Sequence, residues 1–322
     1  MSAYTESLAA IGTAADAEVA SLTTALTAAK AQNLTDATTI ARLEARIAEL
    51  TAPPVVTPPA PAGDRLPYAP PAGWQNFTRV IVPPSGLVTI PSGVDALIIA
   101  PAIVTVPITI KGGRHRVLIG ARLGGRKTIP TGSYDSTNRG IRLSDGDDAG
   151  RDWIEGVYGE PGTYLSDFIQ TAYRVNNNRD LDIVVCRSDA TTYGTQATVH
   201  ADVLQCWGGP RRLRVHRLTA KRVGYQGFYM DPADGRALPA KGDQWQFSNI
   251  NLEGLPGAKY LFADRQPAFT RATASNVWIS GSPYNNTDGF GNAPMGVTVG
   301  THADFAPASL WSGGTYVSPG YV

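Results

Sequence analysis

The sequence predicts a mainly β chain: a right-handed parallel β-helix, or solenoid, preceded by an N-terminal α-helical coiled coil. Three observations lead there. Residues 1–50 carry a narrow heptad stripe, residues 51–73 are rich in proline, and the rest repeats pairs of short β-type runs.

Stepping by three and four from Val19 gives Val19, Leu22, Leu26, Ala29, Asn33, Asp36, Ile40, Leu43, Ile47 and Leu50. A stripe that narrow suits the seam of a coiled coil better than the lid of a globular core. Val19, Leu22, Leu26, Asn33, Ile40, Leu43, Ile47 and Leu50 are therefore the expected oligomerisation residues. The extra step of four between Ala15 and Val19 is an insertion that would locally unwind a supercoil. Asn33 reads in two ways. It is a polar layer that sets register, or the segment 33–39 is a break where Thr35 or Asp36 caps a second helix. The sequence leaves both open.

Residues 51–73 hold eight prolines in 23 positions. Such a stretch should run as polyproline II, a semi-rigid spacer on the order of 70 Å long at ~3.1 Å per residue.

From Trp74 onward, short runs rich in Val, Ile and aromatics are bounded by Gly, Asn and Asp. SDFIQ at 166–170 is echoed by ADVLQ at 201–205, and each is followed by an alternating run, DLDIVVC and RLRVHRL. Similar couplets recur as GFYM with WQFSNINLEG and as YLFAD with NVWISG. Self-similarity at about 25 to 35 residues is the mark of a solenoid. Hairpin dipeptides between adjacent runs, which a sandwich would need, are scarce. The solenoid is assigned to 74–281. Residues 282–322 fit no unit and read as a terminal cap or a segment wrapping onto a neighbouring chain.

The formal net charge of +1 argues against general affinity for nucleic acid or anionic membrane. No apolar run approaches the roughly 18 residues needed to span a bilayer. The N-terminus lacks the basic start of a secretory signal. Cys186 and Cys206 each end an apolar run and read as buried core residues, not as a disulfide framework or a zinc site. No cofactor and no metal are expected.

This layout resembles the minor tail, tail-fibre or tailspike-like proteins of long-tailed actinobacterial phages. The features that carry the resemblance are the heptad start, the proline-rich neck, HADVLQCWGG at 200–209 and an aromatic, Gly-rich tail. The β part is similar to the pectate-lyase-like superfamily. The resemblance implies a homotrimeric virion protein whose N-terminal helix meets other tail or baseplate proteins. It further implies a β region that contributes to the tail tip and contacts host cell-surface polysaccharide. The rival it leaves is a tailspike depolymerase, a glycoside hydrolase or polysaccharide lyase.

The candidate chemistry centres on His200, Asp202, Gln205 and Trp207, with Asp167 and Gln170 one unit earlier. Strict alternation puts Asp202 and Gln205 on opposite faces unless the strand bends. Like residues at a repeated offset suggest a polar ladder between units, with glycan binding at Gln205, Trp207 and Tyr229 as the functional reading. Catalysis needs two carboxylates around one bond, for which Asp202 and Asp231 with His200 are the candidates. Residues 211–222, RRLRVHRLTAKR, put Leu213 and Val215 inward and Arg212, Arg214 and His216 outward. That basic face reads as solvated or as salt-bridged between chains, with an anionic glycan or acidic protein at Arg212 and Arg214 as the functional alternative.

Overall fold

The computed structural model describes residues 20–24, 27, 65–125, 127–128, 138–173, 178–193, 201–231, 244–264, 272–281, 296–311 and 314–322. The chain forms two compact units, Met1–Pro59 and Ala60–Val322.

The described residues of the second unit hold eighteen strands. They are β1 (Thr78–Ile81), β2 (Leu87–Ile90), β3 (Ala96–Ile99), β4 (Ile108–Gly112), β5 (His115–Leu123), β6 (Ile141–Ser144), β7 (Arg151–Gly159), β8 (Tyr164–Leu165) and β9 (Asp167–Ala172). There follow β10 (Asp180–Ser188), β11 (Thr191–Thr192), β12 (Asp202–Trp207), β13 (Arg212–Val223), β14 (Gln226–Asp231), β15 (Gln244–Gly254), β16 (Tyr260–Asp264), β17 (Thr273–Ser280) and β18 (Val297–Val299). An eleven-stranded sheet runs β1-β3-β5-β7-β10-β13-β15-β17-β18, with β11 and β8 attached beside β13. A seven-stranded sheet runs β16-β14-β12-β9-β6-β4-β2. From β1 to β7 the chain alternates between the sheets. Neighbours within a sheet are therefore separated by a long connection and pair in parallel.

This corrects the expected fold class. The protein is mainly β with two parallel sheets of eleven and seven strands; a β-helix solenoid is not what the structure shows, and the described residues contain no coiled coil. Helix at the N-terminus is confined, among the described residues, to 20–24 and 27. That is little more than one turn at 3.6 residues per turn, far short of a heptad seam. The Thr24 and Thr27 hydroxyls bond back to the carbonyls of Ala20 and Thr23, both 2.8 Å, a habit that weakens helices. A recurrence of strand couplets specifies which strands become neighbours; it does not specify closure into a solenoid. Of the expected oligomerisation residues Leu22 is half-buried. Val19, Leu26, Asn33, Ile40, Leu43, Ile47 and Leu50 lie outside the described residues, as does the spacer apart from 65–73.

The main core joins inward residues of both sheets, among them Ile98, Ile154, Leu218 and Phe247 from the larger and Ile110, Ile169, Leu204 and Phe228 from the smaller. Phe228, Phe247 and Phe262 meet with ring centroids 5.1 to 5.8 Å apart. Strands of the larger sheet bend at one column of left-handed residues: Gly120, Gly156, Val185, Arg217, Asn249 and Asn276 all have φ between 49° and 72°. Asn276 Nδ2 donates to Asn249 Oδ1 at 2.7 Å, the local bonding that lets asparagine occupy this region.

A second, smaller core covers the outer face of the larger sheet. Val117, Trp153, Val184 and Val185 pack there against Leu66, Ala306, Trp311 and Tyr316. This explains why DLDIVVC reads as a nearly continuous apolar run: β10 is buried on both faces. The C-terminal segment makes this cover by running back across the sheet. His302 stacks near Trp278 of β17, Asp304 pairs with Lys221 of β13 and Arg187 of β10, and Trp311 Nε1 donates to the Gly156 carbonyl of β7 at 2.8 Å. Leu66 N then donates to Gly320 O at 2.9 Å and Val322 N to Leu66 O at 3.0 Å, so the two ends of the unit meet. At Gly156 a Cβ would sit 2.1 Å from the Tyr316 ring; only glycine leaves room for this strap.

Candidate functional site

The outer face of the seven-stranded sheet carries two polar rows. In the first, Asp167, Asp202, Gln226 and Tyr260 are consecutive register partners on β9, β12, β14 and β16. In the second, Arg142, Gln170, Gln205 and Tyr229 are partners on β6, β9, β12 and β14. Between the rows the ladder is interrupted at Phe168, Val203, Gly227 and Leu261, which take no register partner there. Each strand bends at this point. Val203 and Leu204 consequently both enter the core, and Asp202 and Gln205 emerge on the same side. Gln205 Nε2 donates to Asp202 Oδ2 at 2.9 Å, Gln170 Nε2 donates to Gln205 Oε1, and Tyr229 packs on Tyr260. The rows form one grid, with a step of ~4.8 Å from strand to strand.

The grid splits its two carboxyls. Burial pushes Asp167 up to about 6, against the pull of Arg139, whose Nε lies 3.1 Å from its Oδ2. Asp202 is driven well above the usual carboxylate range, by burial first and by the neighbouring Asp167 second. Of the two, Asp202 is the carboxyl whose surroundings favour the protonated form more strongly. Several buried polar atoms here find no hydrogen-bond partner among the described residues: Arg142 Nε, Gln170 Oε1, Asp202 Oδ1 and Gln226 Oε1. Unpaired buried polar atoms cost free energy, so their gathering on one sheet face marks a place where a polar ligand or water completes the structure.

The sign of the pH effect follows. A carboxyl whose folded pKa is raised binds more protons folded than unfolded, so its contribution to stability falls as pH rises through that window. For Asp167 the loss runs from about pH 4 to about pH 6, and the more strongly raised Asp202 adds a further loss in the same direction. Asp202→Asn should remove most of it: urea melts should show the variant gaining on the native protein at about pH 8 relative to about pH 5. Parallel stability curves at both pH values would refute the split.

The basic run 211–222 lies on the opposite sheet, where Arg211, Arg212, Arg214 and Lys221 are ion-paired while Arg217 and Arg222 donate to the Phe305 carbonyl and the Thr191 hydroxyl. Asp180 accepts from Arg211 at 2.9 Å and from Arg212 at 3.1 Å. Asp182, fully buried, accepts from Arg151 at 2.6 Å and also from Arg212 and Arg214. Arg214 sits over the Tyr68 ring, 4.0 Å from its centroid. Lys221 pairs with Glu253 and Asp304. His216 bonds Ser248 Oγ at 2.8 Å, and burial, with Arg217 close by, lowers it to about 4.

Two buried acids carry structure that the sequence reading did not single out. Asp152 is held by Arg116 at 2.5 and 2.6 Å, by Arg179 at 2.6 and 3.2 Å, and by the Tyr173 hydroxyl. The two guanidiniums also donate to the carbonyls of Ser144 and Asp147, pinning the turns after β6. Glu155 accepts from Trp153 Nε1 at 2.9 Å, Tyr316 at 2.9 Å and Tyr321 at 2.7 Å, fastening the strap.

Of the sequence-predicted residues, Gln205 and Tyr229 fall in the grid, with Asp202 beside them. Trp207 and Asp231 are register partners on the same sheet, placed by their backbone. Arg212 and Arg214 are on the far sheet, and His200 lies outside the described residues. Cys186 and Cys206 are buried free thiols, and burial pushes Cys186 up to about 12. Among the described residues no group of three His, Cys, Asp or Glu side chains could hold a metal ion. No protein-family model matches the sequence, and no match is found among curated proteins or solved structures.

Proposed function

We propose that this chain is a structural protein of a phage tail whose seven-stranded sheet contacts polysaccharide of the host surface. The observation that supports the glycan contact is the grid of amides, carboxyls and tyrosines with unpartnered buried atoms. Sugar hydroxyls both donate and accept, and a linear polymer lying across parallel strands meets the same pair of groups every ~4.8 Å. The buried rings of Tyr229 and Tyr260 pack together beside those polar groups and hold that end of the grid in place. Placement in a tail rests on the resemblance carried by residues 51–73, 200–209 and the aromatic C-terminal segment. A homotrimer with other tail proteins as neighbours belongs to the same reading.

One observation favours the depolymerase alternative. Asp202 is the register neighbour of Asp167, and only Asp167 has a guanidinium, that of Arg139, to favour its charged form; glycoside hydrolysis uses such an unequal pair, one carboxyl protonating the leaving oxygen and the other acting as base or nucleophile. Incubating purified protein with host cell-wall polysaccharide separates the readings. Binding without new reducing ends or unsaturated products is expected. Product formation that Asp202→Asn abolishes would replace the binding reading with the enzyme; absence of binding would refute both.

A further inference from the structure

We propose that Arg142, with Gln170 beside it, is a subsite for the acid group of an anionic saccharide; this rests on the glycan reading above and adds its charge class. In the obvious anion-binding candidate, the basic run 211–222, Arg211, Arg212, Arg214 and Lys221 are already tied to Asp180, Asp182, Glu253 and Asp304. Arg142 is the opposite case. It is half-buried in the grid, its Nε is buried, and it has no hydrogen bond or ion pair among the described residues. A buried guanidinium donor without an acceptor is costly unless a ligand completes it.

The neighbours define what that ligand must offer. Asp167, the nearest acid of the grid, is already engaged by Arg139, so its charge is largely spent. Gln170, Arg142's register partner, presents an unpartnered Oε1 because its Nε2 is committed to Gln205. The subsite therefore asks for an anionic acceptor at Arg142 and a hydroxyl donor next to it at Gln170. A sugar acid meets both demands, its carboxylate on the guanidinium and a ring hydroxyl donating to the amide oxygen. A sugar or polyol phosphate does the same through phosphate oxygens. Half-buried Thr109 on β4 is Arg142's other register partner, and exposed Lys111 follows on the same strand. The grid thus opens toward solvent at this end, where a charged group enters at least desolvation cost.

The test is a set of binding titrations of the full chain with polygalacturonate, poly(glycerol phosphate) and neutral dextran. Native protein should bind at least one acidic polymer about tenfold or more tightly than dextran, the worth of a charge-assisted hydrogen bond. Which acidic polymer wins tells carboxylate from phosphate. Arg142→Gln should bring the affinity for acidic polymer down to that for dextran without lowering the thermal midpoint, and Arg142→Lys should keep part of the preference. Equal affinity for acidic and neutral polymers, or a preference that survives Arg142→Gln, would overturn the subsite and leave the glycan reading standing. A lowered midpoint in Arg142→Gln would show an internal partner and also overturn it. Binding of no polymer would overturn both.

Discussion

Replacing Asp152 with alanine is expected to lower the stability of the β unit by about 3–5 kcal/mol, the cost of leaving buried cations without their counter-charge. Asp152 and Arg179 are fully buried and Arg116 nearly so. Burial alone would push the Asp152 carboxyl up, yet the guanidiniums of Arg116 and Arg179 outweigh it and hold the group well below the usual range. Its stabilisation is therefore complete above about pH 4, the unfolded value, and is lost as pH falls below that. The Asp167–Asp202 pair acts in the opposite sense, losing its contribution as pH rises. Chemical denaturation of Asp152→Ala read by fluorescence checks the first figure. A loss under about 1 kcal/mol would mean the two arginines find other partners and are not organised by Asp152.

Glu155→Leu should release the C-terminal strap. The substitution strands the Trp153 indole N–H and the Tyr316 and Tyr321 hydroxyls, each a buried donor that costs about 1–3 kcal/mol unpaired. Trp311 and Ala306 still hold the strap's middle through the Gly156 carbonyl and Arg187. The expected result is selective: limited proteolysis should cut within 312–322 well before the sheets are digested. A protection pattern identical to the native protein would show that apolar packing, not Glu155, fastens the strap.

Part of this architecture is written locally and part is not. The echo of SDFIQ in ADVLQ at an offset of 35 is the register of β9 against β12, which puts Gln170 on Gln205. Alternation in RLRVHRL correctly sends Leu213 and Val215 into the core. Alternation fails at Asp202 and Gln205, because the bend between them is a property of stacked strands and no single strand announces it. The heptad stripe of residues 1–50 is equally incomplete information: it describes a face, and a face becomes a coiled coil only with a partner. Arg142 in GIRLSD looks like any outward strand residue. Its difference from Arg212 lies wholly in which carboxylates the fold brings near. The strap was hidden because its anchors, Glu155, Gly156 and Thr219, belong to strands more than 80 residues away from the residues they hold.

The central claim is that the working surface is the seven-stranded sheet and not the basic run on the other. The most direct measurement is the affinity for host cell-wall polysaccharide of two double variants beside the native protein. Gln170→Leu with Gln205→Leu strips the amide row, whereas Arg211→Ala with Arg222→Ala strips exposed charge from the run 211–222. The amide variant should lose about tenfold or more in affinity and the charge variant should bind as the native protein does. The reverse pattern would contradict the account.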